Sequence, residues 1–188
     1  TGGVVAFSNA NGASTGFSFA SAVSLVQSMT ITGSSGTNIS FAGAINSDSV
    51  TRSMTLSTSN GQISFSGNIG STTSLGTVDI SANNSGKVVF NAGANAVTTS
   101  GGFKVTGNAV IQSTTGTTFT ETVSDIQFVN DLSGGSNLTS DVTFVTPGNL
   151  SFGSFGQGAT GVAGSLKKII ITGSNPASFT SGAINAES

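Results

Sequence analysis

The sequence predicts an all-β fold, and three observations lead to that prediction. Only 6% of the 188 residues are charged, so the helix-forming residues Glu, Lys and Arg are scarce. Ser, Thr, Asn, Gly, Val and Ile dominate instead, and these residue types favour turns and pleated strands over helix interiors. No segment shows an apolar period of about 3.6 residues, whereas short alternating runs recur along the chain. We therefore expect residues 1–188 to form a single all-β domain.

A repeat of about 24 residues refines this prediction. The segments NISFAGAIN (residues 38–46) and QISFSGNIG (residues 62–70) share one pattern of alternating apolar residues. A fixed period of this length is typical of repeat architectures. The favoured fold is therefore a parallel β-solenoid, in which a recurrent Phe stacks from coil to coil. The residues assigned to this core ladder are Phe19, Phe41, Phe65, Phe90, Phe128, Phe152 and Phe179.

A β-sandwich is the alternative, because short strands separated by turn residues fit that architecture as well. In that case residues 1–10 would be a terminal strand exchanged with a neighbouring molecule, with Val4, Val5 and Phe7 as its apolar side chains. Residues 97–145 keep the strand pattern but follow the repeat less regularly, so we expect a less regular middle there.

The residue types present argue against an enzyme. The chain has no His, Cys, Tyr or Trp, which removes the usual general base near neutral pH and every thiol nucleophile. Ser165 beside Lys167 and Lys168 is the local Ser–Lys pairing, and we interpret those lysines as charges that protect a strand edge. Asp48 and Arg52 are interpreted as an ion pair flanking a turn. No catalytic residue is predicted.

Four acids and one Asn are the candidate metal ligands of this sequence. Glu121, Asp125, Asp131 and Asp141, with Asn130, could supply oxygen ligands for Ca²⁺, but no calcium-binding motif contains them. We interpret them as separate solvated acids and predict no cofactor. Five Lys plus Arg are too few for a nucleic-acid surface. No apolar run approaches the roughly 18 residues of a membrane span, so none is predicted.

Residues 39–81, which contain both segments above, resemble the repeats of filamentous-haemagglutinin-like and autotransporter passenger proteins of bacterial surfaces. In such proteins an I-x-F-x-G-x-I element alternates with an L-T-L/I element, and the match of this chain is closest over residues 36–85. The resemblance implies a right-handed parallel β-helix that is exported across an outer membrane. It also implies work as an adhesin, a matrix protein or a surface-layer component.

The expected function is accordingly that of a secreted or cell-surface, non-catalytic protein, a stiff self-associating scaffold with structural and adhesive roles. Its expected partners are further copies in an oligomer or filament, neighbouring segments of a larger surface protein, or a host or matrix surface. Two alternatives stay open. One is a sandwich subunit of an extracellular filament assembled by donor-strand complementation, and the other is a polysaccharide-binding or polysaccharide-degrading β-helix domain.

Overall fold

The structure is a computed structural model that describes residues 4–9, 16–113, 115–135, 141–155, 168–172 and 179–181. These residues form strands and turns, with no helix among them. The strands are β1 (Val4–Ser8), β2 (Phe17–Phe19), β3 (Val23–Leu25), β4 (Ser28–Ser35), β5 (Ile39–Phe41), β6 (Ile45–Ser47), β7 (Met54–Ser59), β8 (Gln62–Phe65), β9 (Val78–Asn83), β10 (Lys87–Phe90), β11 (Ala96–Thr99), β12 (Phe103–Thr106), β13 (Asn108–Ile111), β14 (Thr117–Glu121), β15 (Ile126–Gly134), β16 (Asp141–Val145), β17 (Leu150–Phe155), β18 (Lys168–Thr172) and β19 (Phe179–Ser181).

All strand pairs among the described residues are parallel, and they form three sheets that run along the molecule. Sheet 1 contains β1, β4, β7, β9, β12, the first parts of β15 and β17, and β19. Sheet 2 contains β2, β5, β8, β10, β13 and the last parts of β15 and β17. Sheet 3 contains β3, β6, β11, β14, β16 and β18, with Ile69 bridging Ile45 to Val97.

The chain visits sheets 1, 2 and 3 in turn and then starts the next coil. About 6 turns follow one another at a spacing of about 24 residues, which confirms the predicted parallel β-solenoid over the sandwich. Residues 97–145, expected to be less regular, contain strands that pair within the same three sheets. One register shift lies there, between Phe128 and Asp131, and another lies outside it, between Thr32 and Ser35.

The core is built by the alternation seen in the sequence. In β7, Met54, Leu56 and Thr58 are buried, while Thr55 is exposed. Because successive side chains of a strand point to opposite faces, one apolar residue in two is enough to fill the interior of each coil. The buried Thr58 keeps its hydroxyl satisfied, since Oγ1 donates to the carbonyl oxygen of Thr37 at 2.7 Å.

The corner between sheets 1 and 2 depends on left-handed backbone. Gly36, Asn60 and Asn84 occupy corresponding positions in successive coils, with φ of 78°, 60° and 58°. Gly and Asn are the residues that adopt this conformation at the lowest cost. The following Gly61 is also required, because a Cβ there would clash with the carbonyl oxygen of Thr37 in the preceding coil.

Candidate functional site

The phenylalanines predicted as one ladder lie in more than one sheet. Phe19, Phe41, Phe65 and Phe90 form one column in sheet 2, with ring centroids 4.7, 5.6 and 5.5 Å apart and nearly parallel planes. Phe128 and Phe152 stack at 5.6 Å in sheet 1. The backbone of Phe179 pairs with Leu150 rather than Phe152, so it lies outside that row.

The change of sheet has a packing reason. After Phe90, sheet 2 continues with Ile111, and the aromatic rings reappear in sheets 3 and 1. Phe119 contacts Phe90 edge-on at 5.2 Å and stacks on Phe144 at 5.4 Å. The core thus stays aromatic, but after Phe90 its rings come from strands of sheets 3 and 1 and no longer from sheet 2. Phe119 and Phe144 were missed by the ladder prediction, although both stand in alternating runs 25 residues apart.

Polar side chains near the corners tie one coil to the next. The side-chain oxygen of Asn38 accepts from the backbone N–H of Gln62 at 2.8 Å. The corresponding oxygen of Asn68 accepts from the N–H groups of Asn95 and Ala96, both at 3.0 Å. These bonds satisfy backbone donors that the sheets leave free where the chain turns. The abundant Asn residues therefore have a structural role here.

The segment proposed as an exchanged strand pairs within its own chain. Val4, Val5 and Phe7 belong to β1, which is in parallel register with β4. All three side chains are more than a third exposed, and the ring of Phe7 lies 6.3 Å from Phe17 and 6.2 Å from Phe19. In this structure β1 is therefore the sheet 1 strand of a solenoid coil.

Glu121 is the most deeply placed of the four acids considered as calcium ligands. Its side chain is 1% exposed and both carboxylate oxygens accept hydrogen bonds. Oε2 accepts from the hydroxyl of Thr99 at 2.5 Å and from the N–H of Gly102 at 2.9 Å. Oε1 accepts from the N–H groups of Val123 and Ser124 at 2.9 and 3.0 Å. The carboxylate thus organises the turn that leads from sheet 3 to sheet 1.

The other acids have different surroundings. Asp125 accepts from the N–H of Asn149 at 2.7 Å, and Asp131 accepts from the hydroxyl of Ser154 at 2.8 Å. Asp141 pairs in register with Lys168 of β18. The oxygen of Asn130 accepts from the N–H of Gly107 at 3.0 Å. Among the described residues no group of three or more acids could hold a metal ion.

Asp48 and Arg52 form a two-pronged ion pair in a turn between sheets 3 and 1. Arg52 Nη2 lies 2.9 Å from Asp48 Oδ2, and Nε donates to Oδ1 at 3.0 Å. The pKa of Asp48 lies below its ordinary value, mainly because Arg52 donates hydrogen bonds to the carboxylate. The hydrogen bond from the N–H of Val50 lowers this pKa further. Asp48 in turn raises the pKa of Arg52. Of the Ser–Lys candidates, Ser165 and Lys167 lie outside the described residues, and Lys168 is exposed at the start of β18.

No protein-family model matches this sequence, and neither a curated protein nor a solved structure shows significant similarity to it. The resemblance to haemagglutinin-like repeats therefore stays an interpretation of the sequence pattern. Across the described ranges, no helix is long and apolar enough to cross a membrane.

Proposed function

We propose that this chain is a non-catalytic, extracellular scaffold that acts through the stiffness and the adhesive outer surface of its stacked coils. The observation that carries this proposal is the continuity of the stack. Each coil buries its aromatic and aliphatic side chains against the next coil, while Ser, Thr and Asn occupy many outward positions. Such packing resists local bending because each interior coil is bonded to both neighbours.

The residue chemistry supports a non-catalytic role. The chain lacks His and Cys, and the carboxylate of Glu121 is occupied by four structural hydrogen bonds. Asp48 is engaged by Arg52. These acids work as structural acceptors, which leaves them poorly suited to act as general acids or bases.

Self-association belongs to this proposal because a single copy is short. About 6 turns at a strand spacing of roughly 4.8 Å give a stack of about 30 Å. A long rod therefore requires further coils, supplied by other copies or by neighbouring segments of a larger protein.

Small-angle X-ray scattering across a concentration series, with negative-stain electron microscopy, tests the scaffold role. A compact single copy has an expected radius of gyration of about 16 Å. We expect the radius to rise with concentration and rods of constant width to form. The matched control is the chain without residues 1–10, in which lengthening should persist. Filaments that vanish in this control would favour strand exchange, and a radius independent of concentration would refute self-association.

A further inference from the structure

An open groove lined by both polar and apolar groups crosses the outer surface of sheet 1 over four successive coils. Its polar lining comprises Thr77, Asp79, Lys104, Asp125, Gln127 and Ser151. Asp79, Lys104, Gln127 and Ser151 stand in one register row, so neighbouring side chains are one coil apart. Gly102 lies at the edge of the same groove and leaves it open, because glycine has no side chain to project there.

The register row of this groove differs from the corners in its unused hydrogen-bonding capacity, whereas Thr77 and Asp125 of the same groove are bonded to Gly101 and Asn149. At the corners, Asn side chains are bonded to the next coil. Within the described part of the chain, by contrast, no hydrogen bond or ion pair engages the side chains of Asp79, Lys104 or Gln127. Lys104 is exposed and Asp79 is half-buried, so both remain accessible from solvent. Asp79 offers acceptors and Lys104 offers donors in neighbouring coils without bonding one another, and Gln127 in the next coil offers both.

This mixture of opposite charges and hydrogen-bonding groups favours one class of ligand. An anionic ligand would meet Asp79 and Asp125, and a cationic ligand would meet Lys104, so either would be opposed at one point of the row. A hydroxyl group both donates and accepts, and can therefore bond a carboxylate in one coil and an ammonium or amide in the next. Because the row repeats at roughly 4.8 Å, the ligand must present hydroxyl groups repeatedly along an extended chain.

We propose that this groove binds a linear, uncharged oligosaccharide, with Asp79, Lys104 and Gln127 as the main contacts. The proposal assigns a ligand class to the adhesive part of the proposed function and rests on that part alone. Binding is expected to be weak for one groove because the lining offers no exposed aromatic ring for sugar stacking. Repeated copies along an assembled scaffold would strengthen it by multivalency.

The first step of the test is an array of uncharged linear hexasaccharides built from glucose, mannose, galactose or N-acetylglucosamine, alongside charged oligosaccharides. The full-length chain is applied, and the best uncharged hexasaccharide is then titrated into ¹⁵N-labelled protein and followed by NMR. We expect chemical-shift changes at residues 77–79, 102–104 and 125–127. Binding of charged oligosaccharides alone, binding of none, or shift changes confined to another sheet would overturn the proposal.

The second step uses variants. Because outward positions of sheet 1 already accept Ser, we expect the double variant Asp79→Ser/Gln127→Ser to fold, and its own NMR spectrum checks this. It should lose about tenfold or more in affinity, as expected for two lost hydrogen bonds of which one is charged. Lys87→Ser, an exposed position on sheet 2, is the matched control and should bind normally. If the double variant bound the oligosaccharide as tightly as the unsubstituted protein, binding in this groove would be refuted. Scattering on the same samples reports self-association independently of sugar.

Discussion

Phe65 illustrates how a single residue stabilises this fold. Its side chain is fully buried, and its ring stacks on Phe41 at 5.6 Å and on Phe90 at 5.5 Å. Stacked rings contribute beyond the area that they bury, and a cavity at this position would be flanked by aromatic rings on both sides. The residue therefore belongs to two coil-to-coil contacts at once.

Replacing Phe65 with Ala should lower the free energy of unfolding by about 3–5 kcal/mol, through lost burial and the cavity left behind. Urea denaturation followed by circular dichroism measures the change. The matched control is Ser64→Ala, an outward position on the same strand, for which we expect a change within about 0.5 kcal/mol. Equal effects of the two substitutions would contradict the burial of Phe65.

At the scale of an element, the turn after β14 depends on one buried carboxylate. Glu121 accepts hydrogen bonds from the hydroxyl of Thr99 and from the backbone of Gly102, Val123 and Ser124. A carboxylate is needed because all four partners donate in this arrangement, and only an ionised acid offers acceptors on both of its terminal atoms. The element is therefore held by charge-assisted bonds as well as by its strands.

Substitution of Glu121 by Gln should destabilise the protein by about 1–3 kcal/mol, because the new amide NH₂ would face two donors. Thermal unfolding and amide exchange at Val123 and Ser124 measure this effect. Asp125→Asn provides the comparison, since that side chain is exposed and accepts from Asn149. An unchanged melting temperature in the Glu121 variant would show that the four bonds do not hold the turn.

The Asp48–Arg52 turn predicts a pH-dependent contribution to stability. The pKa of Asp48 is lowered in the folded state from an ordinary 3.8. A lowered carboxyl pKa contributes stability that is present above the ordinary value and is lost as pH falls through the folded value. Asp48→Asn should therefore lower the melting temperature near neutral pH and have progressively less effect below about pH 4.

A double-mutant cycle with Arg52→Gln isolates this coupling from other acids. We expect the two substitutions to be non-additive at pH 7 and additive at about pH 2. Added salt should weaken the coupling at pH 7 only in part, because a half-buried pair is screened less than an exposed one. Coupling that is equally strong at both pH values would exclude the ion pair as its source.

For the whole molecule, stability should vary along the axis of the stack. Each coil contacts its nearest neighbours, so β8 and β10 are bonded on both sides, whereas β1 pairs with β4 alone among the described strands. Repeat proteins of this kind open from their least supported units.

Hydrogen exchange followed by mass spectrometry should show this gradient. Amides of β1 are expected to exchange much faster than those of β8 and β10, because β1 is exposed throughout while the inward residues of β8 and β10 are buried. If self-association covers β1, the exchange rate of its amides should fall as the protein concentration rises. A concentration series therefore distinguishes the intrinsic stability gradient of one copy from the effect of assembly. Equal exchange rates across all coils at low concentration would refute the idea that the stability of each coil depends on its adjacent coils.

The sequence by itself determined the all-β class, the spacing of about 24 residues and the alternation that buries Phe41 and Phe65, because these are local and periodic properties of the chain. Only the tertiary structure decided which sheet each Phe enters. The core requires a constant volume of side chains and does not require that one strand supplies it, so Phe119 replaces the ring that sheet 2 no longer provides at Ile111. The groove on sheet 1 had the same origin, since Asp79, Lys104 and Gln127 are far apart in sequence and become neighbours when the coils stack in register.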